Sequence, residues 1–156
     1  GMIFFSDKGD EIGGLIFDGD NGKGQFGSLT FDKFRGDQTI QFAHKESKEG
    51  DYFAGLIVND QNMPLNDFLS KLQEIEKIPS KDEQAAARQK FWESGEATVN
   101  RMFIGKTRDK KSVIGLNDAK GKTRIEIFVE PNGNPKLNFL DENGKVIYSL
   151  PDDAKK

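Results

Sequence analysis

The sequence predicts a mainly β protein, an antiparallel meander of about ten short strands with a two-helix insertion. Three observations carry that expectation. The 156 residues include 17 Gly and a Phe-rich aromatic set of 13 Phe, 2 Tyr and 1 Trp, a composition suited to short strands, tight turns and large rings filling an interior. Turn signals recur at short intervals between runs of alternating polarity. That alternation gives way once, from about 64 to 94, to a helical period.

The turn signal is clearest near the C-terminus. Asp118-Ala119-Lys120-Gly121-Lys122 and Asp141-Glu142-Asn143-Gly144-Lys145 each end one strand-like run and open another. Asp at the first position and Gly at the fourth suit a type I turn: the carboxylate accepts from nearby N–H groups, and Gly takes φ > 0 without a Cβ clash. Ser6 and Gly9 occupy the same slots near the N-terminus. Between the two C-terminal turns, Glu130-Pro131-Asn132-Gly133-Asn134-Pro135 reads as a type I′ turn at Asn-Gly, with prolines barring continuation of the ladder.

In chain order, Met2–Phe5 and Ile12–Phe17 are the first two strands, and Gly13-Gly14 marks a bulge or a close approach of another backbone or ring. Asp18 to Gly24 is expected to be loop. In Phe26–Phe31, Gly27, Leu29 and Phe31 share one face, with Ser28 and Thr30 on the other. Gln38–Ala43 mirrors that strand across an Asp32–Asp37 turn. Tyr52–Val58 follows the charged loop from Lys45 to Asp51, with Ala54, Leu56 and Val58 on one face and Phe53 and Ile57 on the other.

After Met63-Pro64 the period becomes helical. Leu65, Phe68, Leu69, Leu72, Ile75 and Ile78 lie along one stripe that ends before Pro79. Ser80-Lys81-Asp82-Glu83 is a capping box opening a second helix to about Glu93, which Gly95 stops. The helical pair is expected to close one mouth or edge of the sheet and to bury Phe91 or Trp92. Strands resume at Ala97–Ile104, Ser112–Leu116, Thr123–Val129, Lys136–Leu140 and Lys145–Leu150, and the tail from Asp152 to Lys156 is expected to be disordered. The chain is read as one domain, 1–156. A ten-stranded open sheet would leave aggregation-prone edges, so a barrel or a strongly curled sheet is expected, with a small propeller as the alternative.

Charge narrows the function classes. The chain has 26 acidic and 23 basic residues, a net charge of −3, and the signs are mixed throughout, which argues against nucleic acid or an anionic membrane as partner. Without cysteine there is no disulfide, thiolate metal site or thiol nucleophile. No run of about 18 apolar residues occurs, and Met2–Phe5 meets Ser6-Asp7 too soon for a signal sequence, so the chain as it stands is expected to be soluble.

Individual motifs favour plain readings. The loop Asp18-Gly19-Asp20-Asn21-Gly22 invites calcium, but an EF-hand would place Glu at its twelfth position, where Leu29 stands; a solvated turn is favoured. Arg35-Gly36-Asp37 spells an adhesion tripeptide within a turn that already needs Gly and Asp. His44 has no companion signature of a catalytic site and reads as a surface residue at a strand end. Gly22 to Gly27 precedes a strand rather than the helix that a phosphate cradle needs. Phe91-Trp92 with Phe68 reads as packing of the helical pair, with a partner-binding patch as the rival. The basic stretch from Lys106 to Lys111 reads as a hairpin end kept soluble by charge.

Gly1-Met-Ile-Phe-Phe with Asp7, Gly9, Glu11 and Gly13-Gly-Leu-Ile-Phe17, then Leu29-x-Phe-Asp32, Gly36-Asp-Gln38 and Ala54-Gly-Leu-x-Val58, resembles a group of uncharacterised bacterial proteins. In that group a short N-terminal transmembrane anchor is followed by hairpin repeats of the form D-x-x-G-x-x-R, matched here by Asp118, Gly121 and Arg124. The resemblance implies a membrane-anchored, extracytoplasmic placement and names no activity. This chain lacks the anchor and the first hairpins, and Ile147 stands where the last repeat would place its Arg.

No catalytic set, metal site or cofactor is expected; the binding residues and the partner stay unassigned, with a protein partner open. The favoured function is a non-catalytic binding or structural module. Its alternative is a carboxylate-based hydrolase or lyase on a small polar or sugar substrate, since two of the many acids could sit at the spacing glycoside hydrolysis needs.

Overall fold

The computed structural model describes residues 1–20 and 24–152. Ten strands lie side by side in sequence order: β1 (Met2–Phe5), β2 (Glu11–Asp20), β3 (Gly24–Asp32), β4 (Gln38–Ser47), β5 (Tyr52–Gln61), β6 (Thr98–Lys106), β7 (Ser112–Asn117), β8 (Thr123–Val129), β9 (Pro135–Leu140) and β10 (Val146–Leu150). Helices α1 (Leu65–Glu76) and α2 (Lys81–Ser94) are inserted between β5 and β6. All neighbouring strands are antiparallel, giving one meander sheet.

The sheet is not closed. β1 pairs only with β2 and β10 only with β9, so neither the expected barrel nor the propeller is formed. A barrel removes its edges by joining first strand to last. Here the edges are instead kept short, four residues in β1 and five in β10.

Tight turns set the meander. Each of the seven described hairpin turns uses the same two backbone bonds: the N–H of the first residue donates to the carbonyl of the fifth, and the N–H of the fourth donates to the carbonyl of the first. The fourth residue is left-handed in six of them, at Gly9, Gly50, Lys110, Gly121, Gly133 and Gly144. This is a type I turn with a left-handed bulge residue, which matches the twist of antiparallel strands. The 130–134 turn follows the same pattern, with Gly133 at φ 89°, so the expected type I′ turn at Asn132-Gly133 is not formed. Asn132 caps the turn instead, its Oδ1 accepting from Asn134 N–H at 3.0 Å, and Pro135 begins β9 opposite Val129 rather than barring it.

Two strands run further than their composition suggests. β2 extends through Asp18 and Gly19 to Asp20, laddered against Phe26, Gln25 and Gly24, although that stretch reads as loop. Gly24 permits the tight approach: at φ 106°, a Cβ there would lie 2.0 Å from the Glu46 carbonyl oxygen. β4 likewise continues to Ser47. The expected close approach at Gly13-Gly14 is present, a Cβ on Gly13 falling 2.3 Å from the Thr30 carbonyl oxygen.

The helices follow their signals at the ends. Ser80 Oγ accepts from Glu83 N–H at 3.3 Å, and Gly95 closes α2 at φ 69°. α1 has Pro64 at its cap, and the Leu65 N–H donates to the Arg35 carbonyl at 2.9 Å, tying the helix to the β3–β4 turn. Ile75, Phe91 and Ala97 form a small core flanked by Met63, Phe68, Leu72 and Ile78. The helical pair therefore packs on itself at the end of β5 and β6; it does not lie across a face of the sheet.

Candidate functional site

Strand registers decide which side chains share a face, because a residue and its antiparallel partner point the same way. One row across the sheet runs Phe4, Gly13, Phe31, Ile40, Val58, Met102, Leu116, Ile125, Phe139, Tyr148. The next, two residues along each strand, runs Met2, Leu15, Leu29, Phe42, Leu56, Ile104, Ile114, Ile127, Leu137, Leu150. Both rows cross all ten strands without one charged side chain. A third row on the same face runs Phe17, Gly27, His44, Ala54, Lys106, Ser112, Val129 and Pro135.

The opposite face is mixed. It carries Ile3, Gly14, Thr30, Gln41, Ile57, Phe103, Gly115, Glu126, Asn138 and Ser149 in one row, and Ile16, Ser28, Ala43, Gly55, Gly105, Val113, Phe128 and Lys136 in the next, so polar and charged side chains interrupt its apolar ones. Gly14, Ser28, Thr30, Ala43 and Asn138 are buried there. Polar groups on this face satisfy one another: Asn138 donates to Glu126 at 3.1 Å and accepts from Ser149 at 2.7 Å, while Thr30 Oγ1 accepts from Gly14 N–H at 3.0 Å.

Solvent reaches the apolar face, with Phe17 70% exposed, Phe42 50% and Ile127 45%. Scattered exposed hydrophobics are ordinary, but a contiguous apolar patch of several hundred Å² marks an interaction surface. Near its β2–β5 portion Leu15, Phe17, Leu29, Phe42, His44 and Leu56 help line a groove of about 580 Å³, and the Phe17 ring leans over Gly27, where a Cβ would lie 3.1 Å from it. One end of this face is polar. Gln25 donates to Glu46 at 2.7 Å, the His44 ring lies 5.4 Å from Tyr52, and the Lys106 ammonium sits 3.6 Å above the Tyr52 ring. Such a surface offers apolar contact with a hydrogen-bonding rim.

His44 therefore sits within β4 on the apolar face, half-buried against Tyr52, and not at an exposed strand end. In Arg35-Gly36-Asp37, Gly36 is buried, Asp37 Oδ1 accepts from Gln38 N–H at 2.8 Å, and the Arg35 carbonyl serves α1; the tripeptide is part of the frame. Of the calcium candidate, Asp18 and Gly19 belong to β2, and residues 21–23 lie outside the described part. Among the described residues no three His, Asp or Glu are grouped to hold a metal.

The basic stretch from Lys106 to Lys111 is matched by its own surroundings. Lys111 lies 3.4 Å from Glu130 and 3.5 Å from Asp109, and Glu130 above all pushes its pKa up. Arg108 donates to the Asp51 carbonyl at 3.2 Å. The arginine of the D-x-x-G-x-x-R stretch, Arg124, stands 3.8 Å from Asp118 of its own turn. Phe91 is buried and Trp92 is half in solvent at 45%, its ring 5.5 Å from Phe68.

One carboxyl stands apart. Asp32 is pushed above the usual carboxylate range by burial first and by Asp37 and Glu11 next, and its Oδ1 is closed off from solvent without a hydrogen-bond partner. Beside it, Asp10, Glu11, Lys33, Arg35, Asn62 and Asp67 help line a second groove of about 770 Å³. There Arg35 lies 3.9 Å from Asp10, and Lys33 donates to the Gln61 carbonyl at 2.7 Å.

Reading the strands one at a time shows the apolar alternation but not that ten registers align it into one surface; that alignment was the missing signal. Comparison with protein-family models, with curated proteins and with solved structures finds no match.

Proposed function

We propose that this chain is a non-catalytic binding or structural module whose contact surface is the apolar face of its sheet. The supporting observation is the pair of uncharged rows crossing all ten strands, with Phe42, Ile104 and Ile127 exposed among them, while on the other face Thr30, Gln41, Glu126, Asn138 and Ser149 interrupt the apolar residues. Burying such a face is worth about 25 cal/mol per Å², so it is a reservoir of binding free energy. An extracytoplasmic, membrane-anchored setting is part of the proposal and rests only on the resemblance carried by the stretches within Gly1–Phe17, Leu29–Gln38 and Ala54–Val58 and by the Asp118–Arg124 hairpin.

The chain's lack of cysteine supplies the test. Phe42→Cys and Ile127→Cys each place one thiol on the apolar face, and Glu142→Cys places one on an exposed turn as reference. In the diluted, monomeric chain the two face thiols are expected to react with a water-soluble maleimide about as fast as the reference. Slow labelling of a folded monomer would mean that the face is interior, and the module reading would fall.

The hydrolase alternative has one observation in its favour, the Asp32 carboxyl near the Glu11–Arg35 groove, whose pKa burial pushes above the usual carboxylate range, the direction a general acid needs. Turnover of a glycoside that disappears in Asp32→Asn with the fold intact would favour it.

A further inference from the structure

We infer that the occupant of the apolar face is a second copy of this chain, the two sheets packing face to face into a sandwich about a two-fold axis. The inference rests on that face being a contact surface and adds what covers it. Area is the first argument. Ten strands about 4.8 Å apart and about 20 Å of strand length give a face of about 900 Å² per copy, which reaches the about 800 Å² per partner of a stable protein–protein interface.

Chemistry is the second. The two central rows hold no charge, so two copies can meet there without stranding an ion in a dry interface. The rim groups Glu46 and Lys106 lie at one end of the strands, where they stay wet in such a pairing. Shape is the third: the face bears the exposed ring of Phe31 and a groove lined in part by Leu15, Leu29 and Leu56, so it holds knob and hole together, as a self-complementary two-fold interface requires. Twisted sheets pack in this way about 10 Å apart with strands aligned to about 30°. Pairing through the free edges is the lesser solution. β1 and β10 offer four and five residues, and head-to-tail pairing of unlike edges does not close.

Sedimentation over a concentration series, run with thiol labelling of Phe42→Cys, Ile127→Cys and Glu142→Cys, tests this. The expected result is a mass that doubles and then stops. Labelling at positions 42 and 127 should slow at least tenfold as the mass doubles, while labelling at 142 is unchanged. The double variant Phe42→Lys/Ile104→Lys should stay monomeric with an unaltered far-UV spectrum; if it fails to fold, the labelling of Ile127→Cys decides. A monomer at every concentration with fast face labelling overturns the dimer and leaves the contact-surface reading standing. Mass that rises without protection, or rises without limit, means edge pairing and overturns it too. A monomer with slow labelling overturns both.

Discussion

The ring of Phe103 lies directly on Gly55, so closely that a Cβ at position 55 would come within 2.6 Å of the Phe103 Cε2 atom and 2.5 Å of the Ile104 carbonyl oxygen. The two are on neighbouring strands of the mixed face, and Gly105 stands opposite Gly55. Glycine in a strand costs backbone entropy, and a large ring lying on it restores apolar coverage. This face covers itself with its own rings. Gly55→Ala should therefore destabilise by roughly 1–3 kcal/mol through overpacking, read as a lower denaturation midpoint at unchanged slope. An unchanged midpoint would mean that the ring moves aside freely.

Turn backbone makes the next pair of outcomes. Gly121 and Gly144 sit at φ 77° and 79°, as their turn motifs require, and Lys110 holds the same slot at φ 68°. A side chain in that region costs on the order of 1 kcal/mol, more when β-branched. Gly121→Val and Gly144→Val should each destabilise by about 1 kcal/mol or more, whereas Lys110→Gly should be stabilising or neutral. Calorimetry of the three variants checks the sign, and destabilisation by Lys110→Gly would contradict the shared turn geometry.

Two carboxyls should respond to pH in opposite senses. Asp118 accepts from the backbone N–H of Lys122 at 3.0 Å and of Lys120 at 2.9 Å, and these bonds hold its pKa below the ordinary value. Its contribution is present above the unfolded pKa of about 3.9 and is lost as pH falls through the folded one. Asp32 is the reverse case: raised by burial, it costs stability above its folded pKa, and the cost is relieved as pH falls through that value towards the unfolded one. At neutral pH, Asp118→Asn should lower the melting temperature and Asp32→Asn should raise it. Both differences should shrink in acid below the carboxylate range. Equal offsets at both pH values would rule out charge as the cause.

Local chemistry made the frame legible from sequence. Asp118, Asp141, Gly121 and Gly144 announce their turns because the side-chain acceptor and the positive φ are demands of four or five consecutive residues, and Ser80 and Gly95 mark α2 for the same reason. The face assignments of Leu29, Phe31, Leu56 and Val58 also follow from alternation within one strand. What was not legible depends on distant registers. Whether β1 meets β10 is set by stagger summed over nine connections, which no turn motif encodes, so the barrel, one of the forms expected for the meander, is not formed. Trp92 likewise depends on how α2 rotates against α1; adjacent residues on a helix point about 100° apart, so burying Phe91 leaves Trp92 half in water. Tertiary neighbours also carried β2 on through Asp18-Gly19-Asp20 against local composition, because β3 offers a ladder partner at each step.

The helical pair is held to the sheet by few bonds, which gives the last prediction. Asn62 N–H donates to the Ala97 carbonyl at 2.8 Å, Asn62 Nδ2 to the Gly95 carbonyl at 3.1 Å, and Leu65 N–H to the Arg35 carbonyl at 2.9 Å. Beside these bonds stands the small core of Ile75, Phe91 and Ala97 with its flanking residues. Removing the ring in Phe91→Ala costs about 3–5 kcal/mol, more than so small a core can supply, and regions with few buried apolar contacts open on their own. Phe91→Ala should therefore melt α1 and α2 while the meander stays folded. The single Trp, packed 5.8 Å from Phe91 and 5.5 Å from Phe68, reports this directly: its emission should move to the red and quench freely, and the far-UV spectrum should lose its helical part and keep its β part. Leu69→Ala, at a half-exposed position of α1, should change neither. Loss of the β signal together with the helical one would show instead that the sheet depends on the insertion, and the helices would then be part of its core.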